Sequence, residues 1–468
     1  MLSSLRFLVA TLLLATSLFA AQTPLPRPPL VAVGTAKIDI TPAEPVRLSG
    51  YRSREKPFER VGQPIFARAL AIGADDQRPA VLLTVEVVGI TEALTDEVAA
   101  ALRTSHQLER ERLAICVIHT HTGPSLRNTI PYMFSADLPT AEVAAISAYT
   151  ATLRDKLIAV ARAALADRRP GHLAWNEGRA GFAAQRREIV DGKWRTFGLV
   201  PNGYTDNALP LLRVTDANGQ LRAVFLSYAC HGTTLVGTDN FVHPDWAGDA
   251  AARLESAHPG AIALVALGCG ADANPHPRGS LENVAAHGRT IADEVERLLK
   301  ASLRPLGPVT EARHRQIDLA FDRAVTREEL TERAAKKSNI TASYAAQKFL
   351  QRLDAGQSLP TAVPYRIQTW SFGNDLAMVF LAGEVVSEYS LRLRRELDAR
   401  RLWVNAYAND VPCYIASERM FPEGGYEVDG SMDFYAWPTR LARGTEDQII
   451  GAVRALVPPA YLAKEAAR

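Results

Sequence analysis

The feature that most constrains this chain is a set of short, nearly unbroken apolar runs, each stopping at a cluster of polar and small residues. They are Val81–Val88, interrupted by Thr84 and Glu86, then Leu113–Ile118, Ala223–Cys230, Ala261–Leu267 and Leu376–Leu381. Runs of this kind read as strands buried on both faces. Between them the apolar period lengthens to that of a helix. Leu94, Val98 and Leu102 repeat at four, Val143–Ala166 is long and Ala-rich, and Val284, Ile291, Val295 and Leu298 share a face. Glu388–Ala399 follows the same pattern. Strands alternating with helices predict an α/β fold, with a largely parallel or mixed β-sheet in layers covered by helices. The charged stretch Arg323–Leu353 has helical periodicity and predicts an insertion or a covering pair of helices, without chemistry of its own.

Composition then excludes several functions. With 47% hydrophobic residues the chain is not disordered. Lys and Arg number 53 against 51 Asp and Glu, so the net charge of +2 speaks against a nucleic-acid partner. Four cysteines are too few for a disulfide scaffold and read as small buried hydrophobes. Residues 1–20 carry Arg6, an apolar run from Phe7 to Phe19 and then Ala20, the pattern of a secretory signal peptide. Residues 21–30 form a Pro-rich tether. Residues 31–468 are then one exported domain, periplasmic or secreted, with no later segment apolar enough to span a bilayer.

Chemistry gathers where the apolar runs end. Ile118 is followed by His119-Thr120-His121-Thr122-Gly123-Pro124. Side chains along a strand repeat every two residues, which sets both imidazoles on one side, as a metal or an acid/base pair requires. His231 follows Cys230, and His243-Pro244-Asp245 lies twelve residues on, able to build a different pocket or a second metal site. Gly268-Cys269-Gly270-Ala271-Asp272-Ala273-Asn274-Pro275 offers close backbone approach, with Asp272 or Asn274 to bond a ligand. Glu384 follows Leu381, as a ligand, a base or the first turn of the next helix. Tyr414 and Tyr426 stand in a loop beyond Tyr407-Ala408-Asn409, as metal donors, oxyanion donors or packing residues.

Taken in order, these motifs resemble the neutral, non-lysosomal ceramidase family in its N-terminal catalytic domain. The resemblance opens at Gly34-Thr35-Ala36-Lys37-Ile38-Asp39-Ile40-Thr41-Pro42. It runs through the two histidine segments, Gln185-Arg186-Arg187 and Gly383-Glu384, and closes at Tyr426-Glu427. It implies one Zn²⁺ per chain, held by His119, His231, Glu384 and Tyr414, with His121 as acid/base or transition-state donor. Tyr426 and Arg186 would hold the carbonyl oxygen or the developing oxyanion. It further implies a linear-amide hydrolase acting on an N-acyl compound, a ceramide-like lipid among them, with peripheral contact to membrane lipid. Zinc suits such N and O donors at about 2.0–2.2 Å and brings a bound water's pKa to about 7. Two departures stand out. Asn274 occupies the place of a family serine to which a catalytic part has been assigned, so a serine-nucleophile route from that position is closed. The family's C-terminal immunoglobulin-like domain is expected to be absent, since the chain ends at Arg468. Asn274 leaves room for a weak or inactive relative that binds a lipid or envelope component; a zinc esterase or peptidase using the same site is a further alternative.

Overall fold

The computed structural model describes residues 29–463. The signal-peptide reading, and the tether up to residue 28, lie outside the described residues. Each apolar run named above forms a strand: Ala80–Val85, Leu113–Val117, Leu221–Tyr228, Ile262–Leu267 and Leu376–Leu381. The helices fall where the longer period indicated, at Glu92–His106, Thr140–Ala166, Leu281–Leu299 and Ser387–Glu396. Arg327–Ala335 and Ile340–Asp354 are the covering pair, packed on each other around Leu330, Ala345 and Phe349.

Nine strands belong to one hydrogen-bonded sheet, and Val31–Asp39 joins its two halves. Residues Val31–Val33 pair with Arg169–Gly171, whereas Val33–Asp39 pair with Phe66–Ile72. One half runs through Arg169–Arg179, Ala208–Asp216, Leu221–Tyr228 and Ile262–Leu267, and the other through Phe66–Ile72, Ala80–Val85 and Leu113–Val117. A separate sheet of four strands contains Glu311–Ala320, Ala362–Phe372, Leu376–Leu381 and Leu402–Asn405. The sheets are mixed. Parallel pairing is confined to edge pairs such as Ala80–Val85 with Leu113–Val117 and Leu221–Tyr228 with Ile262–Leu267, and antiparallel pairs predominate.

The continuous apolar runs have a specific cause. Along Ala80–Val85 and Leu376–Leu381, alternate side chains enter two different cores. Leu82, Met378 and Phe380 join an inner core shared by the nine-stranded and four-stranded sheets, with Cys116, Trp175, Phe225, Leu264 and Trp403. Val81, Leu83, Val379 and Leu381 face the other way, into a core completed by helical residues such as Leu157, Trp246, Ile291 and Val453. Both faces are therefore covered, but by helices on one side only; the other cover is sheet. Phe225 stacks on Trp403 at 4.7 Å across the inner core, and the Trp403 indole N–H donates to Ser227 Oγ at 2.8 Å.

Segments beyond the strand ends knit these sheets together. Val117 N–H donates to Tyr407 O, Asn409 N–H to Ile115 O, Ala406 N–H to Leu267 O and Ala408 N–H to Leu381 O. Residues 406–409 thus touch three strand ends at once. Tyr407 and Asn409 take left-handed φ values of 53° and 65° to do so, a conformation bulky residues adopt only when surrounding contacts impose it.

Candidate metal centre

Three of the four candidate donors follow the C-terminal end of a strand. His119 follows Leu113–Val117, His231 follows Leu221–Tyr228, and Glu384 follows Leu376–Leu381. The two histidines of the H-T-H motif do converge, with their Nε2 atoms 3.1 Å apart, but not through strand periodicity. The strand has ended, and His119 turns left-handed at φ 50°. Thr120 then bridges to Gly232, bringing the His119 and His231 segments side by side. Only glycine permits that approach, since a Cβ on Gly232 would stand 2.6 Å from His119 O.

Four side chains meet there. His119 Nε2 and His231 Nε2 each lie 3.1 Å from Glu384 Oε2, and His231 Nε2 lies 3.2 Å from the Tyr414 hydroxyl. Tyr414 is in no irregular loop. It pairs with Glu384 in a short parallel ladder, Glu384–Val385 with Tyr414–Ile415, which sets carboxylate and phenol side by side. Both rings are oriented from behind. His119 Nδ1 donates to Val88 O at 2.5 Å and His231 Nδ1 to Gly270 O at 2.9 Å, leaving both Nε2 lone pairs toward the shared point. Donors about 2.0–2.1 Å from a tetrahedral ion stand about 3.3–3.4 Å apart, so the observed separations fit the edges of such a shell. His121 adds a third imidazole, and among the described residues His119, His121 and His231 form a group able to hold a metal ion.

Electrostatics match a site built around positive charge. Burial alone would raise the Glu384 carboxyl, but His119 and His231 outweigh it and hold it well below the ordinary range. Burial lowers His231 to about 4, helped by Arg186, and pushes His121 well down with His119 and His231 beside it. Both imidazoles are therefore neutral at neutral pH. Burial and the Glu384 charge keep the Tyr414 phenol protonated in the absence of a cation.

The remaining predicted residues border this cluster. Arg186 lies on the hairpin Ala183–Val190 and Lys193–Val200, whose first strand pairs with Ala273–Pro275. Its guanidinium donates to the Tyr414 hydroxyl at 3.2 Å and to Asn274 Oδ1 at 3.3 Å. Asn274 also accepts from Thr233 Oγ1 at 3.2 Å. Tyr426 packs edge-on to Tyr414, with ring centroids 5.3 Å apart. Asp272 is spent on structure: it accepts from Gln185 Nε2 at 2.7 Å and from the Ser387 backbone and hydroxyl.

His243 and Asp245 build a turn. His243 Nδ1 accepts from Asp245 N–H, and the carboxylate accepts from the backbones of Leu235 and Trp246; among the described residues neither belongs to a group able to hold a metal ion. All four cysteines are free and buried, as small core residues. Sequence reasoning missed Tyr435, which donates to Glu384 Oε1. It also left without a role Glu427, fully buried, which accepts from Arg186 and Arg187. Glu427 had a signal in its place beside Tyr426; Tyr435 had none.

A buried histidine group at the strand ends of a mixed α/β fold is a place where a metal ion could be held. The neutral/alkaline non-lysosomal ceramidase N-terminal family matches residues 31–286, more than half of the chain, and the chain belongs to that family. Two solved structures are similar in fold. Neutral ceramidase from Pseudomonas aeruginosa is 19% identical with a TM-score of 0.66, over 93% of this chain and 76% of that one. A ceramidase complexed with C2 is 17% identical with a TM-score of 0.67, over 94% of this chain and 78% of that one. A search of curated proteins gives no match.

Proposed function

We propose that this chain is an exported, zinc-dependent hydrolase that cleaves the linear amide bond of an N-acyl compound, a ceramide-like lipid among the candidates. The observation that carries the reading is that His119, His231, Glu384 and Tyr414 form one linked cluster, each lying 3.1–3.2 Å from at least one other. These four would hold the zinc, which when bound supplies a Lewis acid and lowers the pKa of water toward 7. Family membership supports the amide as the bond broken, and the Arg6–Ala20 pattern supports export.

The chain's own residues divide the remaining work. Hydrolysis forms a carbon–oxygen bond from water to the acyl carbon and breaks the carbon–nitrogen bond. The proton from water must reach the departing nitrogen. His121 is neutral, so its imidazole first accepts that proton and then delivers it to the amine. Arg186, held beside Tyr414 and Asn274, and Tyr426 beside them present N–H and O–H donors to the oxygen on which charge develops. Asn274, already accepting from Arg186 and Thr233, aligns the guanidinium rather than attacking the substrate.

A second reading takes His121 as the third imidazole ligand, since its Nε2 lies 3.1 Å from that of His119. Its Nδ1, buried and without a partner, argues for the acid/base role, because the imidazoles assigned as ligands each donate Nδ1–H to a carbonyl. Purified protein is assayed for zinc and for hydrolysis of a panel of N-acyl amides, ceramides included, with and without chelator. His119→Ala is expected to lose metal and activity together, and His121→Ala to keep metal and lose activity. Hydrolysis that persists after complete metal removal would sink the proposal.

A further inference from the structure

Glu384 uses its two oxygens differently. Oε2 lies 3.1 Å from both His119 Nε2 and His231 Nε2, whereas Oε1 turns away and accepts the hydroxyl of Tyr435. Tyr435 is buried, and its ring packs edge-on to Tyr414 at 6.3 Å. Its segment is anchored on both sides. Tyr132 N–H donates to Phe434 O at 3.0 Å, and the Trp437 indole N–H donates to Pro412 O at 2.8 Å, two residues from Tyr414. The phenol is thus delivered to the carboxylate by a fixed stretch of chain.

We propose that Tyr435 is a positioning residue of the metal centre: its hydrogen bond occupies Glu384 Oε1 and restricts that carboxylate to one donor oxygen. The inference rests on the zinc reading above. A carboxylate can bind a metal through one oxygen or two, and a second bound oxygen would fill the coordination position that a catalytic site keeps open for water or substrate. His119 and His231 are oriented by the carbonyls of Val88 and Gly270, and Tyr414 by Arg186. Tyr435 completes the set, so each of the four donors has one group behind it fixing its direction.

The test is Tyr435→Phe, which keeps the ring and removes the hydroxyl. Zinc affinity is measured by competition with a chromogenic chelator, and the cobalt(II)-loaded protein by its visible absorption. Zinc affinity is expected to fall about 10–100-fold. The visible bands are expected to weaken, as they do when tetrahedral cobalt gains a ligand. kcat for an N-acyl amide falls while KM stays within about twofold, because the substrate's binding surface is untouched. Wild-type affinity together with an unchanged cobalt spectrum overturns the proposal while leaving the zinc reading intact. A wild-type chain that takes up no metal overturns both. Should Tyr435→Phe not fold, a crystal structure of the zinc-loaded wild type decides: Glu384 bound through Oε2 alone supports the role, and both oxygens on the ion overturn it.

Discussion

Glu427 offers the most direct test of how the site is held. It is fully buried between two guanidiniums, accepting from Arg186 Nε at 3.0 Å and from Arg187 Nη1. Glu427→Gln preserves shape and removes the charge, leaving two buried cations short of a counterion. Breaking a buried pair in this way costs about 3–5 kcal/mol. Here the low end is expected, because Arg187 keeps Glu423 at 3.1 Å and Gly424 O at 2.9 Å. Arg186 keeps only neutral partners, Tyr414, Asn274 and His231. Unfolding entropy near the midpoint is about 2.1 cal/mol/K per residue, hence about 0.9 kcal/mol/K over the described residues 29–463. A loss of about 3 kcal/mol then lowers Tm by about 3 °C. Metal-free wild type and variant are compared by circular dichroism melts at one scan rate, so that bound ion does not mask the difference. Activity of the zinc-loaded variant is expected to fall about 10²-fold, since Arg186 loses the charge that aims it. A variant melting within about 1 °C of wild type, with unchanged kcat, would refute the claim that Glu427 organises the arginine pair.

Two other positions give independent checks. A Cβ on Gly50, whose φ is 96°, would stand 2.5 Å from His121 Cγ, and the His121 backbone is pinned to Gly232 O at 3.0 Å. Gly50→Ala is therefore expected to displace the imidazole and cut kcat about 10²-fold while zinc content stays at the wild-type level; unchanged kcat removes Gly50 from the argument. Burial raises the Asp410 carboxyl from 3.8 to about 7, with the Glu92 charge adding to it. Its folded pKa exceeds its unfolded one, so the stability it costs grows as pH rises from about 4 to about 7 and stays lost above that. The full penalty is on the order of 4 kcal/mol. Asp410→Asn can still accept the Glu92 N–H, so its denaturation midpoint should exceed wild type at pH 8 and do so by less than half as much at pH 5. Equal gains at both pH values would show that the carboxyl's ionisation is not the cause.

The sequence by itself determined the five doubly covered strands, most of the main helices and the chemical groups; strands with mixed faces, such as Phe66–Ile72, Arg169–Arg179 and Ala362–Phe372, were not legible in it. An apolar run covered on both faces leaves a local record, and so does a 3.6-residue period. It was equally sufficient for His119, His231 and Glu384, because each stands just beyond a legible strand end. Sheet pairing left no such record: Val31–Asp39, split between two partners, gives no sign of it along its own length. Convergence was decided in three dimensions. The H-T-H histidines meet because His119 turns left-handed and Gly232 admits it, not because a strand alternates. Glu384 and Tyr414, thirty residues apart, become neighbours through one parallel pairing. Tyr435 reaches Glu384 Oε1 from across the fold. A donor's identity is covalent and local, whereas the set of partners it faces is brought together by distant segments packing, so only the tertiary structure could supply it.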